Sequence, residues 1–136
     1  IEVNRFVEAE IAEVSPDIIL THWLKDNNDD HSTIAKSVAV AVRHRKNLTE
    51  IKAVLAFEIP SSTEYAIEQA FNPNVLVGLD ESHLRQKVEA LECYRSEVHL
   101  GNGSRSKHGL ESYARFRGLA GGQKYAEAFM LTRLVI

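Results

Sequence analysis

The residues best suited to chemistry lie between positions 22 and 31. His22 and His31 offer imidazoles, and Asp26, Asp29 and Asp30 offer carboxylates, with Asn27 and Asn28 among them. Imidazole plus carboxylate oxygen is the ligand set of zinc at hydrolytic sites. A carboxylate beside a ligating histidine also fixes which ring nitrogen carries the proton. A plainer role is open to the same residues. Asp29 or Asp30 can cap a following helix, and His22 can be a hydrogen-bonded histidine at a strand end. Spacing alone leaves both readings standing.

The elements around this cluster decide whether it can be a site. Ile18-Ile19-Leu20 follows Pro16-Asp17 and reads, over 17–21, as a buried strand of a parallel sheet. From Ser32 the pattern turns helical, over 32–45, with Ile34, Val38, Ala41 and Val42 as the buried stripe. The polar cluster therefore falls between the carboxyl end of a strand and the start of a helix, where open α/β sheets build their sites. Such a helix presents His31 from its first turn, and its packing fixes the ring.

The remaining elements follow in chain order. Residues 3–14 place Val3, Phe6, Val7, Ile11 and Val14 on one helical face, and Ser15-Pro16 ends that helix. Residues 47–52 form a connection. Residues 53–59 read as a strand closed by Pro60-Ser61-Ser62-Thr63-Glu64. Glu58 there either faces a site or is half exposed; Ser61, Ser62 and Thr63 either bind hydroxyl-bearing ligands or form an ordinary polar loop. A strand at 75–79 precedes a helix over 82–95, capped by Asp80 or Ser82, with Leu84, Val88, Leu91 and Tyr94 in register. Cys93 falls in that helical pattern and reads as packing.

Residues 99–108 are rich in glycine and poor in apolar anchors, as loops bordering binding sites often are. Arg105 in this loop would hold a phosphate or sugar substituent, or else a helix C-terminus. A helix over 110–119 ends at Gly118 and Gly121-Gly122. A final strand over 126–136 carries Glu127 near its start.

Composition bounds the answer. The 136 residues point to one domain, 1–136. An apolar fraction of 44% with 26% charged residues excludes a disordered chain. No run approaches the ~20 apolar residues of a membrane span, and no signal segment opens the chain. The formal net charge of −3 argues against nucleic acid as a partner. Arg43-His44-Arg45-Lys46 is the one basic cluster, and it reads as a helix end. A lone cysteine fits a cytoplasmic location. No glycine-rich phosphate loop is present to suggest a nucleotide-binding domain.

Five blocks of the chain resemble a known family. Thr21-His22-x-x-x-Asp26-x-Asn28-x-Asp30-His31 is similar to the second motif of the PIG-L/LmbE-like N-deacetylases. The resemblance continues through Ala56–Glu64, Phe71-Asn72-Pro73-Asn74, Lys87–Glu97, and Arg115-Phe116-Arg117-Gly118 with Tyr125–Phe129, in family order. It implies an α/β fold, a Rossmann-like three-layer sandwich with a mostly parallel sheet. It also implies Zn2+ as cofactor and an N-acetylated amino sugar as substrate, with His31 as a metal ligand. Asp30, His22 and Asn28 then become catalytic candidates: Asp30 orients a neighbouring group, while His22 and Asn28 polarise the carbonyl or the leaving amine. Arg105 and Glu127 become substrate contacts. A homo-oligomer is left open.

Three departures qualify the match. Many relatives carry histidine where this chain has Asn28, and an amide cannot transfer a proton as imidazole does. Gly103-Ser104 stand where relatives carry a His-Pro-like pair, which withholds any histidine role there. Family members also open with a strand ending in an Ala-His-Pro-Asp-Asp-Glu-like motif, the source of two ligands and the general base. No such run occurs here. The expectation is therefore a sheet incomplete at its N-terminus: the C-terminal portion of a zinc N-deacetylase. The competing expectation is a non-catalytic partial domain or interaction module.

Overall fold

The computed structural model describes residues 2–43, 51–67 and 69–136. His44, Arg45, Lys46 and positions 47–50, and with them most of the expected basic helix end and of the 47–52 connection, lie outside the described residues. The elements run α1 (Glu2–Val14), β1 (Ile18–His22), α2 (Asp29–Ala41), β2 (Ala53–Phe57), a 3-10 turn (Thr63–Tyr65), β3 (Val75–Leu79), α3 (Glu81–Glu92), α4 (Lys107–Ala120) and β4 (Tyr125–Leu134).

Local chemistry accounts for most of the boundaries. Helix α1 stops before Pro16, where Ser15 takes a left-handed φ of 49° and donates its N–H to the Ile11 carbonyl at 2.9 Å. Helix α2 starts three residues before the expected Ser32, because Asn28 caps it: its Oδ1 accepts the Asp30 N–H at 2.9 Å. Asp29 and Asp30 occupy the first turn, where the helix dipole favours them, but neither is the cap. Asp80 caps α3 through bonds from the Ser82 and His83 amides, and His83 Nδ1 accepts the Asp80 N–H in return. Ser106 caps α4 and so starts it at Lys107, ahead of the expected 110.

The strands form a mixed sheet in the order β1-β2-β4-β3. β1 and β2 are parallel, pairing Ile18 with Ala53 through His22 with Phe57. β4 runs antiparallel to β2, with Phe57 opposite Phe129 and Ala53 opposite Leu134. Between Val54 and Leu55 the register slips, and the extra β4 residue, Thr132, donates its hydroxyl to the Val54 carbonyl at 2.9 Å. The mixed α/β class holds, but the expected mostly parallel, Rossmann-like sheet does not. A parallel pair needs a crossover element such as α2, whereas an antiparallel neighbour does not. β4 enters beside β2 against its direction.

The chain divides into two compact units, Ile1–Asn72 with Phe129–Ile136, and Pro73–Ala128. In the first, Ile11 of α1, Val38 and Ala41 of α2, Ile19 of β1, Ile51 and Val54 form one core, with Val7 and Val42 packed on it. β1 lies at the sheet edge and is buried on one face only. Ile19 and Thr21 face the core; Ile18 and Leu20, each 56% exposed, share the opposite face with His22. The expected fully buried strand is thus a half-buried edge strand. The α1 stripe is likewise only partly covered, with Phe6 65% exposed.

In the second unit Leu84, Ala114 and Tyr125 form the core, with Leu79 against it. Leu84 and Val88 of the α3 stripe are buried, while Tyr94 is exposed. Cys93 is the exposed C-cap of α3 rather than a packing residue. Gly118 lies inside α4 instead of ending it, and the helix closes at Gly121. Among the described residues, no helix is long and apolar enough to cross a membrane.

Two glycines are required by close backbone approach. A Cβ on Gly118 would lie 2.6 Å from the Gln123 carbonyl oxygen, and one on Gly109 would lie 2.4 Å from that of Gly103. Backbone cannot rotate away as a side chain can, so α4 or the loop must shift. Gly118→Ala and Gly109→Ala are each expected to destabilise by about 1–3 kcal/mol. Urea midpoints at constant m-value check this, and unchanged midpoints would contradict the close approach.

Candidate active site

The chemistry-bearing stretch folds as strand, loop and helix, and its centre is a carboxylate. Asp26 lies in the loop between β1 and α2 with no exposed side-chain surface. Its Oδ1 lies 2.9 Å from His31 Nδ1 and accepts from the Asn28 N–H at 3.0 Å and from the Ser62 hydroxyl. Its Oδ2 accepts from the Thr63 hydroxyl at 2.5 Å. Burial pushes the Asp26 carboxyl up, but the Ser62, Thr63, Asn28 and His31 donors together outweigh it. They hold it below the ordinary carboxylate range, so Asp26 is an anion at neutral pH.

His31 sits in the first turn of α2, as expected, with 20% of its side chain exposed. His22 ends β1. The two rings stack with centroids 4.4 Å apart and planes within 13°. Phe57, paired with His22 across β1 and β2, packs on the His22 ring at 4.9 Å. Burial lowers the His22 pKa first, and the neighbouring His31 lowers it further, against a smaller opposing pull from Asp26. His22 is therefore a neutral imidazole. Its Nδ1 is buried and has no hydrogen-bond partner among the described residues.

Four of the six residues singled out in the sequence meet here: His22, Asn28, Asp30 and His31. Asn28 spends its side-chain oxygen on the helix cap. Asp30 is exposed. The carboxylate that holds His31 is Asp26, not Asp30. The other two lie in the second unit with local partners. Arg105 pairs with Glu97 and contacts His99 Nε2 at 3.2 Å. Glu127 pairs with Lys87 of α3 at 2.5 Å.

The residues that sequence reasoning left unassigned are Ser62 and Thr63, both buried against Asp26. Their one sequence signal is a run of hydroxyl residues just past the end of a strand neighbouring β1. A cavity of about 370 Å³ shares Asp26 with the cluster and is lined also by Leu24, Asp29, Ser32, Lys36 and Ile67. That volume is in the range of small-ligand sites.

The donor set partly fits a metal. His31 has one nitrogen committed to a buried carboxylate, the arrangement that orients ligating histidines. His22 adds a buried nitrogen without a partner. Among the described residues, no three His, Cys, Asp or Glu side chains converge into a complete metal site.

No family model matches the chain. The fold does have solved counterparts. It resembles a conserved protein from Thermus thermophilus, with a TM-score of 0.75 and 20% identity over 99% of this chain and 60% of that one. It also resembles GalB, the 4-carboxy-2-hydroxymuconate hydratase from Pseudomonas putida, with a TM-score of 0.68 and 19% identity over 99% of this chain and 60% of that one. At these identities the likeness establishes a shared fold. The chain spans 60% of the length of either structure.

The Asp26 network makes stability depend on pH in a defined sense. Because the folded pKa is depressed, the contribution of Asp26 is present above the ordinary carboxylate value. It is lost as pH falls through the lower folded value. Asp26→Asn should cost about 1–3 kcal/mol at neutral pH, since buried donors lose their acceptor. It should also flatten the acid limb below about pH 4. Urea midpoints of both proteins across that range provide the check; parallel pH profiles would sink the assignment.

Proposed function

We propose that the intact protein is a zinc-dependent N-deacetylase of the PIG-L/LmbE-like kind, acting on an N-acetylglucosamine-type sugar or conjugate. The observation that carries this reading is the His31–Asp26 pair. A buried anion holds His31 Nδ1 at 2.9 Å, which directs the other ring nitrogen away from the carboxylate. The resemblance of the Thr21–His31 stretch to the family's second motif supports the same assignment.

In this reading His31 is the metal ligand, and Asp26 keeps its ring oriented and its outer nitrogen unprotonated. Zinc bound there supplies Lewis-acid activation of the acyl carbonyl and of a water. His22, neutral and stacked on His31, would hydrogen-bond the carbonyl or the leaving amine through Nδ1, which has no partner among the described residues. Asn28 and Asp30, at the mouth of the same helix, contribute polar contacts rather than proton transfer. The remaining ligands and the general base would have to come from residues other than these.

Calorimetric titration of zinc, with His31→Ala as control, tests the site. Stoichiometric binding that disappears in His31→Ala is expected, followed by acetate release from N-acetylglucosamine conjugates. Binding indifferent to His31 would overturn the reading in favour of a non-catalytic domain. Hydration of 4-carboxy-2-hydroxymuconate without deacetylation would replace it with the chemistry named for the Pseudomonas structure.

A further inference from the structure

We infer that Ser62 and Thr63 are positioning residues: through Asp26 they dictate which nitrogen of neutral His31 carries the proton. The inference rests on His31 being the working imidazole of the proposed site, but not on what that site hydrolyses.

Thr63 Oγ1 accepts the Ile59 backbone N–H at 2.7 Å. A hydroxyl that accepts on one side has a single hydrogen left to give. The group facing Thr63 Oγ1 at 2.5 Å is Asp26 Oδ2, so the hydrogen goes there. The Ser62 hydroxyl faces Asp26 Oδ1, and the Asn28 amide, which can only donate, faces the same oxygen. Every protein group around the carboxylate other than His31 is thus a donor. A carboxyl surrounded by donors is held ionised, and an ionised carboxylate only accepts. The hydrogen between Asp26 and His31 must then sit on His31 Nδ1, which leaves the lone pair on Nε2.

The turn that aims the two hydroxyls is itself constrained. Ser61 adopts a φ of 78°, in the left-handed region that residues other than glycine seldom visit. Glu64 accepts the Ser61 and Ser62 amides at 2.7 and 3.1 Å, one on each carboxylate oxygen. The Ser62 and Thr63 amides also donate to the Ile59 carbonyl. A conformation of this cost persists only where its surroundings over-determine it, and such places cluster at functional sites. Here the outcome is that two hydroxyls, 36 and 37 residues downstream of Asp26, reach its two oxygens from one turn.

Long-range proton–nitrogen NMR of the histidine rings in 15N-labelled protein tests this at a pH high enough that the ring nitrogen shifts no longer change with pH. In the wild type His31 is expected as a single neutral tautomer protonated at Nδ1. Protonation at Nε2, or a mixture, would overturn the inference. In Ser62→Ala/Thr63→Val the ring should become a mixture, and zinc affinity should fall roughly 10–100-fold. Thr63→Ser, which restores the hydroxyl, should keep the wild-type spectrum. A double variant that folds and retains pure Nδ1 protonation would assign the tautomer to Asp26 alone and overturn the role of the two hydroxyls. Should the double variant not fold, Thr63→Val alone against Thr63→Ser supplies the same contrast. Absent zinc binding alongside the expected tautomer would defeat the deacetylase reading and leave this one standing.

Discussion

A carboxylate with no exposed surface survives only where donors replace its water, and the first unit of this protein is arranged around that requirement at Asp26. The four donors come from three places: the start of α2, the loop that precedes it, and the turn that follows β2. Each must be in position before the others are worth having. A single missing donor would leave a buried anion under-satisfied, at a cost of order 1–3 kcal/mol. The network therefore ties the two loops at the ends of the parallel pair to one another and to the first turn of α2. It also explains why the turn at Ser61 holds a left-handed backbone, since that turn delivers both hydroxyls.

The same arrangement divides the labour between the two histidines. His31 is bonded to an anion and has one face against His22. His22 is partly buried between that ring and Phe57, and it remains neutral because burial and a neighbouring imidazole both oppose a charge there. A neutral His22 imidazole at the carboxyl end of a strand, stacked on a ring that has an anion behind it, forms a polarised site. Among the described residues the buried Nδ1 of His22 meets no hydrogen-bond partner.

The sheet around this site is unusual in how little of β1 it covers. An edge strand with apolar side chains on its open face is the kind of surface proteins normally pair, cover or charge. Ile18 and Leu20 occupy that face together with His22. The parallel β1–β2 pair creates the strand-end position for the cluster. The antiparallel β4 fills the other side of β2 and adapts through the bulge at Thr132.

By itself, the sequence determined what depends on neighbours along the chain. The stop at Ser15-Pro16, the strand before His22, the helix carrying His31 in its first turn and the Asp80 cap are all set by contacts a few residues long. The cluster of His22, Asn28, Asp30 and His31 was legible for the same reason. Tertiary structure alone decided which carboxylate serves His31. Asp26, Asp29 and Asp30 are equivalent in composition, and only the fold brings Ser62 and Thr63 to one of them from 36 and 37 residues away. It likewise decided the direction of β4 and the exposure of Ile18 and Leu20. An apolar run states that a strand wants burial; which neighbour pairs with it, and on which side, is settled by the packing of segments far apart in the chain.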